Sequence, residues 1–246
     1  MGSSKMKKSI EVILSPALLK NYELKGKTVV IIDILRATTS ICVAFQTGVK
    51  KIVPVSTPEE SMMFRDFDFL CAAERNAQKV DGFDLGNSPF EYQNPLLKDA
   101  SIAMTTTNGT KAIKLSKESG AAKIVIGAFL NLQALSDYLI KDNNDVVLLC
   151  AGWKDKTNLE DTLYAGAVVK NIKEHFEINC DSALMAETIY QVAENKLEEV
   201  VLQSAHAKRF SLLHGNFDDV KFCVQINTLD IIPIMVGEYL VKMNQQ

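Results

Sequence analysis

The stretch VVIIDILRATTSICVA, residues 29–44, decides the fold. Four β-branched residues lead to Asp33, Arg36 and two threonines follow, and apolar residues resume at Ile41. This order predicts a buried strand, a polar loop and a helix. Because ligands of open α/β sheets bind at the carboxyl ends of strands, where helix N-termini present N–H groups to anions, we expect the active site at this loop.

The same order of strand, polar loop and helix recurs twice. It appears in SIAMTTTNGTKAIKLSKESG, residues 101–120, and in VVLLCAGWKDKTNLEDTLYAGAVVKNI, residues 146–172. Short apolar runs at 51–55 and 123–127 predict further strands. Strands that alternate with helices predict a three-layer α/β/α fold with a largely parallel or mixed central sheet.

The C-terminal part, from about Asp181, is predicted to be helical and to carry less chemistry. Its apolar residues recur at i, i+3 and i+4 spacing. Residues 221–227 alternate as a strand would, and Pro233 argues against a central strand nearby. The three histidines lie far in sequence from the polar loops and are expected to be structural or exposed: His175, His206 and His214.

The composition is that of a globular protein. The 246 residues are 47% apolar and 23% charged, and no Pro-, Gly- or Ser-rich linker divides them. We expect a single compact α/β domain over residues 6–246, with residues 1–5 an added leader before a natural start at Met6. The net charge of −3 provides no basic field, so nucleic acid is not expected as a partner.

The apolar segments are too short for a membrane protein. None approaches the ~20 residues that cross a bilayer, and the N-terminus lacks the apolar part of a secretory signal. We therefore expect a cytoplasmic protein without a membrane partner. Five widely spaced cysteines predict buried thiols rather than disulfides or a zinc site. An apolar surface on the C-terminal helices would allow a homodimer.

The loop TTTNGT, residues 105–110, combines four hydroxyls, an amide and a glycine ahead of a predicted helix. Short donors and a flexible backbone position favour a cradle for an oxyanion or a phosphate. The alternative is a plain N-capping turn, which the same residue types favour.

Acidic residues stand where strands end or helices begin, namely Asp33, Glu74 and the pair Glu160 and Asp161. Mg²⁺ prefers carboxylate oxygens and keeps several waters, so two or three such groups would hold it. Other interpretations stay open. Asp33 would serve as a structural cap, Glu74 would belong to a surface loop, and the pair would complement a helix dipole.

Two of the four arginines, Arg36 and Arg75, stand beside these acids. Arginine binds phosphate, sulfonate or carboxylate in a bidentate manner, and it also forms ion pairs with acids. The position of these two arginines beside the acids favours ion pairing or ligand binding over a place on a solvated surface. Lys111 and Lys154 are weaker candidates and are expected to be ordinary surface lysines.

Four blocks occur in one order along the chain: DILRATTS, AAERNAQKVDGFDLGNSPFEY, TTTNGTKAI and CAGWKDKTNLEDTLYAGAV. Together, over residues 29–169, they resemble the 2-phosphosulfolactate phosphatase family. The resemblance implies an α/β fold peculiar to that family. It also implies a Mg²⁺-dependent phosphatase that hydrolyses (R)-2-phospho-3-sulfolactate, a small anionic substrate, to 3-sulfolactate and phosphate in coenzyme M biosynthesis.

The resemblance also assigns roles to residues. It implies Asp33, Arg36 and Glu74 as catalytic, and Asp33, Glu74 and Asp161 as metal ligands. The substrate-binding residues that it implies come from the first three blocks: Arg36, Thr38, Thr39, Arg75, Asn87, Ser88, Thr107, Asn108, Gly109 and Thr110. The chain departs from the family pattern at Asn76 and Ala77, where family members commonly carry glycine.

The residues and the resemblance agree on a mechanism. Mg²⁺ would bridge a phosphoryl oxygen while Arg36, Thr107 and Asn108 offset charge on the others. Arg75 would hold the sulfonate or carboxylate. Two routes stay open, direct attack by water and an aspartyl phosphate on Asp33.

Three other functions stay open as well. The first is a phosphatase for another short phosphorylated 2-hydroxy acid, because a cradle fixes phosphate more firmly than the rest of a molecule. The second is a non-catalytic sensor of such an anion, and the third is a different metal hydrolase or isomerase on a related site. Assays of phosphate release separate these functions.

Overall fold

An eleven-stranded sheet organises the described residues of the computed structural model, which cover 7–214 and 217–243. The expected leader and the expected start at Met6 lie outside these residues. The strands are β1 Lys8–Ile13, β2 Thr28–Ile32, β3 Lys51–Pro54, β4 Phe69–Arg75, β5 Gln78–Lys79, β6 Ser101–Thr105, β7 Lys123–Gly127, β8 Val146–Cys150, β9 Phe176–Ile178, β10 Pro233–Val236 and β11 Tyr239–Lys242.

Helices connect most of these strands. They are α1 Ala37–Thr47, α2 Pro58–Met63, α3 Gly109–Glu118, α4 Leu132–Asp142, α5 Leu159–Ile172, α6 Asp181–Ala193, α7 Leu197–Leu202, α8 Ala205–His214 and α9 Asp218–Cys223. Short 3₁₀ segments span Pro16–Asn21, Phe64–Phe67, Pro89–Gln93, Pro95–Leu97, Phe129–Asn131 and Glu194–Lys196.

The strand order is β5-β4-β6-β3-β11-β10-β7-β2-β8-β1-β9. Strands β4, β6 and β3 form one parallel block, and β7, β2, β8, β1 and β9 form a second. The antiparallel hairpin β10–β11 lies between the blocks and pairs antiparallel with both neighbours. The prediction of a largely parallel or mixed sheet is confirmed.

Alternate residues of β2 are buried on opposite faces of the sheet. Val30 and Ile32 belong to the core that contains residues of α4, α5 and α6. Val29 and Ile31 belong to the core that contains residues of α1 and α3. Because both faces of the strand are covered, it is apolar throughout, and the predicted three-layer α/β/α architecture is confirmed.

The C-terminal part differs from two expectations. Pro233 is the first residue of β10, which lies in the interior of the sheet. The expectation that this proline excludes a central strand is therefore wrong. The first residue of a strand can lack an N–H group without loss of the strand. Residues 221–227 contain the end of α9 rather than a strand. Val220 and Cys223 are fully buried against the core, so helical burial overrides the alternating pattern.

Several expectations about membranes, cysteines and partners can be compared with the structure. Within the described ranges, no helix is long and apolar enough to cross a membrane. The five cysteines are free, and all but the half-buried Cys180 are buried, as expected of buried thiols. Helix α6 exposes apolar side chains, among them Met185 and Val192. The homodimer and the absence of nucleic acid stay predictions.

Candidate active site

Loops that follow β2, β4, β6 and β8 converge with α8 around a cavity of about 160 Å³. Its lining combines polar and charged side chains with aromatic and apolar ones. The lining residues are Asp33, Leu35, Arg36, Glu74, Asn76, Ala77, Asn87, Thr106, Thr107, Asn108, Trp153, Lys154, His206, Arg209, Phe210 and Leu213.

Asp33 follows β2 directly and is buried, with 4% of its surface exposed. Its backbone N–H donates to Thr38 Oγ1 over 3.1 Å, and its carbonyl accepts from the Thr38 N–H over 3.0 Å. A Cβ atom at Gly109 would lie 2.9 Å from Asp33 Oδ2 and 2.9 Å from Ala37 Cβ. Only glycine at position 109 therefore lets the start of α3 approach this carboxylate so closely.

Burial raises the pKa of the Asp33 carboxyl from its ordinary 3.8 to about 7. The charge of His206 lowers this pKa, whereas the charges of Glu74 and Glu160 raise it further. A backbone hydrogen bond from Gly109 lowers it slightly. The ionised form of Asp33 thus lies among other acids and would gain from a nearby cation.

A two-residue hairpin turn between β4 and β5 holds Glu74. Asn76 and Ala77 have φ values of 54° and 64°, the left-handed pair of a type I′ turn. The Ala77 N–H donates to Glu74 Oε1, and Thr107 Oγ1 donates to Glu74 Oε2 over 3.2 Å. These are the positions where the sequence departs from the family pattern, so Ala77 adopts a conformation that suits glycine better.

Asp161 is fully buried in the first turn of α5 and does not line the cavity. Its Oδ1 accepts from the Ile34 N–H over 2.9 Å, and its Oδ2 accepts from the Gly152 N–H over 3.0 Å. Burial, and then the charges of Glu160 and Asp33, raise its pKa well above the ordinary value. The observed bonds tie the loops after β2 and β8 to α5.

Glu160 and His206 form a pair that brings α8 to the site. Glu160 is fully buried, and its Oε1 lies 2.6 Å from His206 Nδ1. Its Oε2 has no hydrogen-bond partner in the described part of the chain. The pair orients the imidazole of His206 in the cavity wall and leaves Nε2 as the ring nitrogen that Glu160 does not engage.

Arg36 lines the cavity and is fixed on three sides. Its Nη1 donates to Asp219 Oδ2 over 2.5 Å, and its Nη2 donates to the Ala77 carbonyl over 2.8 Å. The guanidinium carbon also lies 4.3 Å from the centre of the Phe210 ring. The sequence predicted that Arg36 forms an ion pair or binds an anion. The ion pair with Asp219 is observed, and because Arg36 also lines the cavity, it can bind an anion there as well.

The TTTNGT loop divides between the two predicted roles. The Thr110 N–H donates to Thr106 Oγ1 over 3.3 Å, which is a capping interaction. Thr107 and Asn108 line the cavity, as does Thr106, and the Asn108 side chain makes no capping bond. The loop is thus a cap at one end and part of the cavity wall in its middle.

Several predicted binding residues lie outside the cavity lining. Thr39 Oγ1 donates to the Ile34 carbonyl over 3.0 Å, and Thr38 is bonded to the Asp33 backbone. Ser88 Oγ donates to Asp219 Oδ1 over 2.8 Å. These hydroxyls stabilise the loops of the site rather than face the cavity.

Arg75 does not line the main cavity. Its Nη1 donates to the Glu74 carbonyl over 2.7 Å, and the side chain lines an adjoining depression that shares Thr106 and Thr107 with the cavity. Asn87, in contrast, does line the main cavity. Its Oδ1 is buried and has no hydrogen-bond partner among the described residues.

Sequence reasoning missed the contribution of α8. His206, Arg209, Phe210 and Leu213 all line the cavity, and their i, i+3, i+4, i+7 spacing places them on one helix face. The sequence contains this helical spacing, which could have indicated a shared face of α8. The sequence does not show that this face lies beside the polar loops, because that depends on where α8 packs.

The donor set suits a small divalent cation. Among residues 7–214 and 217–243, no three His, Cys, Asp or Glu side chains are arranged to hold a metal ion. Mg²⁺ needs only one or two carboxylates because it keeps several waters. The buried carboxylates of Asp33 and Glu74, with the unpartnered amide oxygen of Asn87 in the same cavity, fit that requirement.

A protein-family comparison matches most of the chain. The family model described as 2-phosphosulpholactate phosphatase matches residues 13–238. This range includes the four loops of the cavity and α8. It extends the resemblance noted for residues 29–169 into the C-terminal helices.

Curated relatives agree with the family match. A "Probable 2-phosphosulfolactate phosphatase" of Caldanaerobacter subterraneus subsp. tengcongensis is 40% identical over 87% of this chain and 90% of the relative. A protein of the same name from Thermotoga petrophila is 39% identical over 95% of this chain and 98% of the relative. A third protein of this name, from Clostridium tetani, is 35% identical over 92% of this chain and 96% of the relative.

Proposed function

The chain belongs to the 2-phosphosulfolactate phosphatase family, and from this membership we propose that it hydrolyses (R)-2-phospho-3-sulfolactate to 3-sulfolactate and phosphate with Mg²⁺. Membership makes the protein a phosphoric monoester hydrolase. The substrate is supported by the names of the relatives, which are called probable 2-phosphosulfolactate phosphatases. The setting in coenzyme M biosynthesis belongs to the same proposal and rests on the resemblance. A cytoplasmic location is also proposed, and it rests on the short apolar segments of the sequence.

One observation carries the proposal. The cavity places the buried carboxylates of Asp33 and Glu74 together with anion-binding groups of Thr107 and Asn108. Carboxylates alone would repel a phosphate, so their presence in a phosphate site requires a cation between them and the substrate. Burial, together with the charges of Glu74 and Glu160, raises the pKa of Asp33, so a cation bound there would favour its ionised form.

Asp33 and Glu74 are the proposed Mg²⁺ ligands. When bound, Mg²⁺ would neutralise charge on the phosphoryl oxygens and lower the pKa of a bound water. Glu74 is held in place by the Ala77 N–H and the Thr107 hydroxyl. Asp161, the third predicted ligand, orients the Ile34 and Gly152 peptides through its own two bonds.

Other cavity groups would bind the phosphoryl oxygens. Asn108 offers a side-chain donor next to the start of α3, where backbone N–H groups favour anions. The Thr107 hydroxyl would have to turn from Glu74 to donate to a phosphate, because it has a single proton. Arg36 contributes positive charge at a fixed position because Asp219 and the Ala77 carbonyl restrain its guanidinium. Such preorganised donors stabilise charge that develops in the transition state.

His206 is the proposed proton donor for the leaving oxygen. The alkoxide of a 2-hydroxy acid leaves poorly, so a general acid at this atom accelerates the reaction. Its Nδ1 is bonded to the buried Glu160, and its Nε2 would donate to the C2 oxygen of the substrate. Glu160 orients the ring, as an acid partner does for catalytic histidines elsewhere.

The test is phosphate release from racemic 2-phospho-3-sulfolactate and from 2-phospholactate, each with Mg²⁺ and with EDTA. We expect Mg²⁺-dependent release that stops when one enantiomer of the sulfonated substrate is consumed. Release in EDTA would overturn the metal requirement. Absence of release under every condition would overturn the phosphatase assignment for these substrates and favour a sensor or another substrate.

A further inference from the structure

We infer that Arg209 and Lys154, which both lie against the ring of Trp153, bind the sulfonate of the substrate. This inference rests on the proposed function and names the residues that select its substrate. The guanidinium carbon of Arg209 lies 4.0 Å from the centre of the Trp153 ring, and Lys154 Nζ lies 4.7 Å from it. We call these three residues the ring cluster.

The ring cluster is part of the cavity wall. All three of its side chains line the same cavity as Asp33 and Glu74. They come from two separate elements, the loop after β8 and helix α8. A molecule in the cavity would therefore contact the carboxylates through one part of its surface and the ring cluster through another.

The two cations of the ring cluster have no acidic partner in the part of the chain that the structure describes. Neither Arg209 nor Lys154 forms an ion pair within the described residues, whereas Arg36 is paired with Asp219. Lys111, a basic side chain in the first turn of α3, is paired with Asp155. Within the described residues, the ring cluster thus supplies positive charge that no acid pairs with.

The predicted alternative, Arg75, is poorly placed for this role. Its guanidinium donates to the Glu74 carbonyl and lines the adjoining depression on the other side of Thr106 and Thr107. Arg209 lines the main cavity directly.

The chemistry of the ring cluster suits a sulfonate. A guanidinium stacked on an aromatic face keeps its N–H edges free for bidentate contact with oxygens, and stacking reduces the freedom lost on binding. A sulfonate offers several oxygens and a full negative charge. The second cation, Lys154, adds a charge-assisted hydrogen bond to the same group.

The test measures kcat and KM of wild type and Arg209→Gln on 2-phospho-3-sulfolactate and 2-phospholactate. A lost charge-assisted hydrogen bond predicts a KM about 10- to 100-fold higher for the sulfonated substrate. We expect kcat to change little, and both constants for 2-phospholactate to stay within about 3-fold. Lys154→Gln should show the same pattern with a smaller effect because its side chain is exposed.

Lys208→Gln is the matched control. Lys208 is the neighbouring residue on α8, is exposed and does not line the cavity, so removal of its charge should leave the preference intact. Equal losses for both substrates in Arg209→Gln would overturn the inference. So would a loss of sulfonate preference in Arg75→Gln while Arg209→Gln keeps it.

Calorimetric titration with 3-sulfolactate and with lactate, in the presence of Mg²⁺, separates this inference from the proposed function. If wild type turns over neither substrate, the proposed function fails, yet the titration still tests the ring cluster. Tighter binding of 3-sulfolactate than of lactate, lost in Arg209→Gln, supports the inference. Equal binding of both ligands in wild type contradicts it.

Discussion

The carboxylate pair, Asp33 and Glu74, and the ring cluster differ in how the protein holds them. The pair is 4% and 8% exposed and is fixed by hydrogen bonds from neighbouring backbone and side-chain groups. The ring cluster is half-buried at Trp153 and Arg209, exposed at Lys154, and joined by ring contacts. Rigid buried groups suit the reacting phosphate, and more exposed cations suit recognition of the remainder of the substrate.

Removal of charge from the carboxylate pair should have the largest effect. Asp33→Asn keeps the shape of the side chain but weakens cation binding, so we expect kcat to fall by about 100-fold or more. Phosphate release with saturating substrate and Mg²⁺ measures it. Asp137→Asn, on the exposed surface of α4, is the control. A near-normal kcat in Asp33→Asn would show that the carboxylate pair is not needed for the reaction, and would contradict its separation in role from the ring cluster.

His206→Gln should follow in size. Loss of the proton donor predicts a fall in kcat of about 100-fold for 2-phospho-3-sulfolactate. An aryl phosphate, such as p-nitrophenyl phosphate, has a leaving group that needs no proton, so its hydrolysis should suffer much less. Equal losses for both leaving groups would show that His206 supports the fold of the cavity rather than the departure of the alkoxide.

The burial of Asp33 predicts a pH-dependent effect on stability in the metal-free protein. Its folded pKa of about 7 exceeds the ordinary 3.8, so the folded state binds more protons between those values, and its stability falls as pH rises through that window. At about pH 8, Asp33→Asn should therefore be more stable than wild type by no more than about 4 kcal/mol.

Thermal unfolding in EDTA, at about pH 5 and about pH 8, measures this difference. The advantage of Asp33→Asn should be larger at the higher pH, and Mg²⁺ should raise the Tm of wild type more at that pH because the carboxylate is then ionised. An advantage of equal size at both pH values would mean that packing, not ionisation, causes it.

The smallest effect concerns the turn that holds Glu74. Ala77 has a φ of 64°, which costs a residue with a Cβ atom about 1–2 kcal/mol. Ala77→Gly should relieve most of this cost and raise the free energy of unfolding by about 1 kcal/mol after the entropy loss of glycine. Urea unfolding measures it. The control is Ala134→Gly within α4, which should destabilise the protein.

Local sequence patterns predicted the parts of the fold that depend on near neighbours. The apolar run that ends at Asp33, and the acid at the end of FLCAAE, placed two cavity carboxylates at strand ends. The three-layer architecture followed from strands that alternate with helical stretches along the chain. The hydrogen bonds that Asp161 makes with Ile34 and Gly152 could not be predicted, because they join segments that meet only in the folded chain.

The C-terminal helices show where prediction from sequence stopped. The sequence could not indicate that His206 lines the cavity beside Glu160, because the two residues are 46 positions apart in the chain. Tertiary packing of Ala207 and Phe210 in the core turns the α8 face toward the cavity. Likewise, Pro233 was judged only by its missing N–H, whereas its place at the first residue of β10 makes that loss tolerable.

The most direct test of this division of roles compares Glu74→Gln and Arg209→Gln on 2-phospho-3-sulfolactate and 2-phospholactate. We predict that Glu74→Gln lowers kcat by a similar factor for both substrates. Arg209→Gln should raise KM for the sulfonated substrate alone. If both variants lower kcat equally on both substrates, or if Glu74→Gln alters only the preference between them, the carboxylate pair and the ring cluster do not have separate roles.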